Sequence, residues 1–413
     1  MRWSDIKAVT EAFVFKGDER AGRIERTAHG AIFEYDPAWL DQHPDLGVAF
    51  NLPPSQARHD IRGVNLHPFF AGLLPEGARI RALTRRLKTS EDDLFSLVIA
   101  AGPDCIGDVA LVPAGAPDLF AAQTVDVEGL SGASFRELFE RVISFPGTEG
   151  PATESSLPGV QDKISAAMVS LPLRARTGSG AYLLKLGPQD LDQLVENEAF
   201  FMRMARACGL EVADARVVVD REGRSGLLVE RFDRLTKPTE DGWTKVHQED
   251  ACQFLDRYPA DKYRLTCAQV AAGIAQFSSA PQVDLLRFLR LLAFSGLIVN
   301  GDLHARNISL RVEPASGRVE LSPAYDLLST LPYGDQRMAL KLDGRDDRLK
   351  RTHFVTFGSR LGVRAKAVEA MLDRLCERAA GWTEEVETIG FSQRRSDQLR
   401  RAMQAGLRKL GPS

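Results

Sequence analysis

Residues 295–326 constrain this chain more than any other stretch. An apolar run ending in Leu297-Ile298-Val299 passes directly into the polar block Asn300-Gly301-Asp302-Leu303-His304-Ala305-Arg306-Asn307. Then come Ile308-Ser309-Leu310-Arg311-Val312, a turn at Glu313-Pro314-Ala315-Ser316-Gly317, Arg318-Val319-Glu320-Leu321, and finally Ala324-Tyr325-Asp326. The pattern predicts a buried helix that delivers a loop, a β-hairpin fed by the loop, and an acidic residue just past the hairpin.

Phosphoryl transfer is the chemistry that suits these parts. Asp302-x-x-x-x-Asn307 has the Asp/Asn spacing of a protein-kinase catalytic loop, and Asp326 stands where a metal-binding Asp would. Such a site needs one carboxylate to orient the acceptor hydroxyl and take its proton. It also needs an amide oxygen and a second carboxylate to hold Mg²⁺ against the phosphates. Asp302, Asn307 and Asp326 fill these roles in that order. The plainer alternative makes them caps of helices and turns. The hairpin set between the loop and Asp326 favours the kinase reading.

The segment from Asn300 to Leu310, followed by Ala324-Tyr325-Asp326, resembles the catalytic segment of the HipA family, the serine/threonine kinase toxins of bacterial toxin–antitoxin pairs. Other stretches agree: Phe69-Phe70-Ala71-Gly72-Leu73-Leu74-Pro75-Glu76-Gly77-Ala78-Arg79, the strand-forming run from Gly102 to Val112, and Lys262-Tyr263. The resemblance implies an α+β chain with a two-lobed protein-kinase-like fold. An N-terminal β-rich subdomain (1–115) would precede the rest of the N-lobe (116–235) and a mainly helical C-terminal lobe (236–413).

It also implies a set of site residues. Ser156-Leu157-Pro158-Gly159-Val160-Gln161-Asp162-Lys163-Ile164 is similar to the family's phosphate loop. Pro158, Gly159, Val160, Gln161, Asp162 and Lys163 would approach the nucleotide, and backbone amides of a small-residue loop suit that task. In the family, the serine matching Ser156 (here with Ser155 beside it) is autophosphorylated in trans, which expels the loop and disables the kinase. Lys185, at the end of an apolar strand, would hold the α/β-phosphates, with Glu198 as the candidate for its ion-pair partner. Glu230, Arg231 and Phe232 match the hinge that meets adenine, while His304 and Tyr325 border the nucleotide. His304 positions Asp302 or a phosphate. The cofactors implied are ATP and Mg²⁺. The partners implied are a protein substrate such as an aminoacyl-tRNA synthetase and a helix-turn-helix antitoxin of HipB type, with DNA reached only through the antitoxin complex.

Composition sets outer limits. The formal net charge of the 413 residues is -3, so any contact with nucleic acid or membrane must be local. Five cysteines, odd in number and without a CxxC pair, argue for reduced thiols in a cytosol and against a zinc module. The N-terminus lacks a signal-peptide core and no apolar run approaches membrane-spanning length, which predicts a soluble, intracellular protein.

Several local expectations remain. Short strands are expected near residues 12–15, 21–24 and 31–35. Thr177-Gly178-Ser179-Gly180 reads as the turn of a hairpin between strands at 164–169 and 181–186, not as a phosphate loop. Arg79, Arg81, Arg85, Arg86 and Lys88 read as a solvated helix face. From Val246 onward the chain reads helical, with His247 satisfying a local hydrogen bond. The last helix carries Arg394, Arg395, Arg400, Arg401, Arg408 and Lys409 against Asp397 alone. That excess keeps open a DNA-binding co-repressor acting with an antitoxin; a small-molecule kinase of related fold is the other alternative.

Overall fold

The computed structural model describes residues 3–63, 66–114, 125–144, 167–175, 180–188, 190–236 and 243–412. Its first unit is an antiparallel sheet of β1 (Glu11–Lys16), β2 (Glu19–Thr27), β3 (Gly30–Tyr35), β4 (Arg58–Arg62) and β5 (Val109–Pro113), in the order β4-β3-β2-β1-β5. Alternation along β1 buries Ala12 and Val14 on one face. There they join Ile24, Phe33, Phe70, Phe95 and Ile99 in one core shared with the helices Gly77–Leu87 and Leu94–Ala101.

A second sheet follows: β6 (Val125–Asp126), β7 (Val169–Arg174), β8 (Ala181–Leu186), β9 (Ala215–Val219) and β10 (Ser225–Glu230), in the order β6-β7-β8-β10-β9. The hairpin expected between 164–169 and 181–186 is displaced toward the C-terminus on its first arm. Val169 pairs with Leu186 and opens β7 rather than closing it. Along β10, Leu227 and Val229 face the helix Leu194–Ala207, while Leu228 joins a smaller cluster with Phe135, Leu184 and Leu186 on the opposite face. The strand is therefore apolar on both sides, as a central strand with helices on both faces must be.

A short ladder of β11 (Arg234–Thr236) and β12 (Trp243–Lys245) follows, and the remainder is mainly helical. Pro281–Leu297 lies at its centre, with Phe288, Leu292 and Phe294 fully buried among residues of Cys267–Phe277, Arg351–Arg360, Ala365–Ala379 and Gln393–Leu410. One expectation fails here. Gln248–Asp250 is not helical but forms the strand β13, paired with Arg311, Leu310 and Ser309 of β14 (Ser309–Val312), which pairs in turn with β15 (Val319–Leu321). All three residues of β13 are buried, and buried backbone groups need ladder partners that a hairpin arriving from sixty residues away supplies. The helix begins only at Ala251, where Asp250 and Gln253 form a capping box.

His247 makes the local hydrogen bond expected of it, to Glu249, and long-range ones besides. Its Nδ1 lies 2.8 Å from Asp108 and 3.0 Å from Lys16 Nζ, and its Nε2 lies 3.0 Å from Glu249. Burial and Lys16 push its pKa down, but Asp108 and Glu249 outweigh them and the net shift is upward. Lys16 and Asp108 belong to the first sheet region, so this buried charge network joins the N-terminal subdomain to the C-lobe.

Candidate active site

The site starts where Pro281–Leu297 ends. Val299 takes a left-handed backbone (φ 56°), costly for a β-branched residue, and turns the chain out of the helix. Asn300 Oδ1 then accepts from the Asp302 backbone N–H at 2.9 Å, and Gly301 N–H donates to Thr330 Oγ1 at 2.8 Å. A side chain at Gly301 would meet the Arg337 carbonyl at 2.8 Å as well as the Asp335 carboxylate at 2.7 Å, so the close approach of that backbone requires glycine. His304 N–H donates to Asp302 O and Asn307 N–H to His304 O, closing the loop on itself at 2.8 and 3.0 Å. Asp302 is fully buried, and its Oδ1 accepts from the Tyr263 hydroxyl at 2.9 Å.

Lys185 and Asp326 meet on the other side. Lys185 Nζ lies 2.6 Å from Glu198 Oε1 and is in contact with Asp326 Oδ1. Of the two acidic residues on the helix, it is Glu198 that is buried and faces the strand; Glu196 is half-buried elsewhere. Asp326, like Val299, adopts a left-handed backbone (φ 56°). Strain of this kind, on order of 1–3 kcal/mol per residue, collects where surrounding structure holds a side chain to a task.

These groups border one cavity of about 270 Å³. Among the described residues its wall includes Leu183, Lys185, Glu198, Met202, Val229, Glu230, Phe232, Asn307, Tyr325 and Asp326, with Leu74, Glu76 and Arg79 from the N-terminal subdomain. The Tyr325 ring lies 6.0 Å from that of Phe232, and its hydroxyl donates to Arg306 O at 2.8 Å. Asp302 and His304 lie outside this lining, buried behind Asn307, whose Nδ2 donates to Asp302 O at 3.5 Å.

Arg231 lies at the cavity with the rest of the expected hinge, and one other expectation, that of a solvated basic helix, needs correction. The Arg231 guanidinium is committed to Asp104 (2.8 Å), Asp233 (2.8 Å) and Cys105 O (2.9 Å). It ties the hinge to the N-terminal subdomain, and this leaves no side-chain role toward a nucleotide. Arg79 is half-buried on the cavity wall rather than on a solvated face, while Arg85 and Lys88 are exposed. Buried pairing across domains has no local pattern, so a helix that looks uniformly basic can divide its arginines this way.

Sequence reasoning missed a further group. Glu76 Oε1 accepts from Lys262 Nζ at 3.0 Å and from Arg306 Nη1 at 2.9 Å, and its Oε2 lies 3.8 Å from His304 Nε2. Burial works to raise this carboxyl, but Arg306, His304 and Lys262 together hold it well below the usual carboxylate range. Arg306 also donates to Asp250 at 2.8 Å and to the carbonyls of Gly72 (2.7 Å) and Leu74 (3.1 Å). Burial pushes the His304 imidazole down to about 4, so it is neutral near pH 7. Its Nδ1 has no hydrogen-bond partner among the described residues. The run Leu74-Pro75-Glu76-Gly77 was legible as a break before a helix; only its similarity to the family hinted at more.

Ser156 and Pro158–Lys163 lie outside the described residues, as do Thr177–Ser179. On the last helix, Arg400 bonds Asp397 at 2.7 Å and also meets Glu387, whereas Arg394, Arg401, Arg408 and Lys409 are exposed. Among the described residues no helix is long and apolar enough to cross a membrane.

Two sheet-bearing units over a helical lobe, with a Lys–Glu pair and an Asp on the cavity between them, define a protein-kinase-like fold. Residues 155–383 match the HipA-like C-terminal domain and residues 12–112 the HipA N-terminal domain. The chain belongs to the HipA family. It is 30% identical over 376 residues to the putative kinase Y4mE of Sinorhizobium fredii, covering 87% of each chain. It is 27% identical over 353 residues to the serine/threonine-protein kinase toxin HipA of Shewanella oneidensis, covering 80% of this chain and 78% of that one. Its fold is similar to the Shewanella oneidensis HipA solved with HipB and operator DNA, with a TM-score of 0.73 at 22% identity over 97% of this chain and 96% of that chain.

Proposed function

We propose that this chain is an ATP- and Mg²⁺-dependent serine/threonine protein kinase and the toxin of a toxin–antitoxin pair. The observation that carries the reading is Lys185, gripped by Glu198 and Asp326 on the wall that also holds Asn307. In this reading adenine occupies the slot between Val229, Phe232 and Leu183, and Lys185 binds the phosphates. Asn307 and Asp326 suit Mg²⁺, which takes one or two protein oxygens and completes its shell with phosphate and water. Held there, Mg²⁺ would supply charge neutralisation on the transferring group. Asp302 accepts the proton of the acceptor hydroxyl as the new O–P bond forms and the bond to ADP breaks. Because Asp302 is buried, the wall before it must open for that hydroxyl to enter.

The test is transfer of label from Mg²⁺ and [γ-³²P]ATP to an inactive Asp302→Asn chain and to total bacterial protein. The reading expects labelling by the parent chain and none by the variant alone. No labelling of either acceptor by the parent ends it. A helix-turn-helix antitoxin encoded beside this chain, capturing it and carrying it to DNA, belongs to the same proposal, as does a translation component such as an aminoacyl-tRNA synthetase as substrate. So does self-inactivation at Ser156: roughly two added negative charges beside the anionic tail of ATP disfavour its binding. Protein phosphorylated at Ser156 that binds ATP as tightly as the unmodified form would sink that switch alone.

A further inference from the structure

Glu76 comes from the N-terminal subdomain, yet its carboxylate faces the catalytic loop. We propose that Glu76 is a positioning residue for phosphate transfer, holding Lys262 and Arg306 so that Asp302 is presented in one orientation; this rests on the kinase reading of the site. Two routes run from the carboxylate to the base. Through Arg306 it grips the loop itself, one residue before Asn307. Through Lys262 it fixes a neighbour on the chain, Tyr263, whose hydroxyl donates to Asp302 Oδ1 at 2.9 Å. The Lys262 carbonyl returns to the loop by accepting from Ala305 N–H at 3.2 Å.

The charges make the arrangement depend on Glu76. The Lys262 and Arg306 side chains are 15% and 11% exposed, and both converge on the same carboxylate oxygen. Without its charge, Arg306 would keep Asp250 as a partner, but Lys262, whose ion-pair partner is Glu76, would be left facing a second cation with little water and would leave. The rotamer of Tyr263 and the backbone at Ala305 would then lose a fixed point each. Glu76 itself is 34% exposed on the cavity wall that carries Lys185 and Asp326, so it stands beside the reacting groups without being one of them. A simple clamp between subdomains would need the Arg306 contacts to Gly72 and Leu74 and nothing on Lys262.

The experiment uses the full chain with Glu76→Gln, Glu76→Asp, Lys262→Met and the Gln/Met double variant. Mg²⁺·ATP affinity is measured by calorimetry and the rate of transfer to the Asp302→Asn chain at saturating ATP. Glu76→Gln should slow transfer by about ten- to a hundredfold with ATP affinity within about twofold, since a misplacement of roughly 1 Å costs up to about a hundredfold in rate. Glu76→Asp should recover part of the loss, and the double variant should be no slower than the slower single. Transfer by Glu76→Gln within about threefold of the parent overturns the inference, as does a loss matched by ATP affinity or by melting temperature. A parent chain that transfers nothing overturns the kinase reading, and this inference with it.

Discussion

Asn197 holds Ser329 from both sides: its Oδ1 accepts from Ser329 N–H at 3.1 Å and its Nδ2 donates to Ser329 O at 2.8 Å. Asn197 precedes Glu198, and Ser329 lies three residues past Asp326. The same helical turn that presents a carboxylate to Lys185 is therefore fastened to the segment that carries Asp326, so the Lys185–Glu198–Asp326 contact is built on one frame.

Asn197→Ala should loosen that frame. Both groups of Ser329 would be left buried without partners, at a cost of about 1–3 kcal/mol each. Chemical denaturation should show a loss of about 2–6 kcal/mol relative to the parent. A variant as stable as the parent would mean that water replaces the amide.

Asp302→Asn keeps the volume of the side chain and can keep the Tyr263 contact, but it cannot take a proton. Phosphate transfer should fall by about a hundredfold or more, the usual loss for a general base, with an unchanged melting temperature. Retention of more than about a tenth of parental transfer would exclude Asp302 as the essential base.

Asp326→Ala removes one of the two carboxylates on Lys185 and one of the two proposed Mg²⁺ donors. ATP affinity, measured by calorimetry, should fall with Mg²⁺ present and change little in its absence. Equal affinity in parent and variant with Mg²⁺ would remove Asp326 from the metal site.

The buried His304 predicts an acid-side loss of stability. Its folded pKa, pushed by burial to about 4, lies below the ordinary 6.5. Above pH about 6.5 neither state holds the proton; between about 6.5 and 4 the unfolded chain binds it and the folded chain does not. Stability should fall with pH across that window, by up to roughly 3 kcal/mol, and His304→Gln should flatten this part of the curve. Identical slopes in the two proteins would assign the titration to other groups.

Residues 295–326 were readable without a structure because their signals are local. An apolar helix, a polar block and a hairpin follow each other within about thirty residues, and each leaves its own periodicity. Lys185 was marked only by the family resemblance, because a lysine near a strand end is ordinarily a surface charge. Position on a helix was already harder: Glu196 and Glu198 are equivalent until the rotation of Leu194–Ala207 against β8 is known.

By itself the sequence determined the order of the parts: sheet-forming N-terminal stretches, an apolar strand carrying Lys185, and a helix–loop–hairpin with Asp302 and Asn307 in the loop and Asp326 just past the hairpin. Only tertiary structure decided which distant groups meet them. Glu76 reaches Lys262 and Arg306 across 186 and 230 residues, and Arg231 reaches Asp104 across 127. The strand at Gln248–Asp250 exists because β14 arrives beside it, not because three residues prefer to be extended. The physical reason is the same in each case. Buried charges and buried backbone must find partners wherever packing brings them, and a partner's distance along the chain leaves no mark on the local pattern.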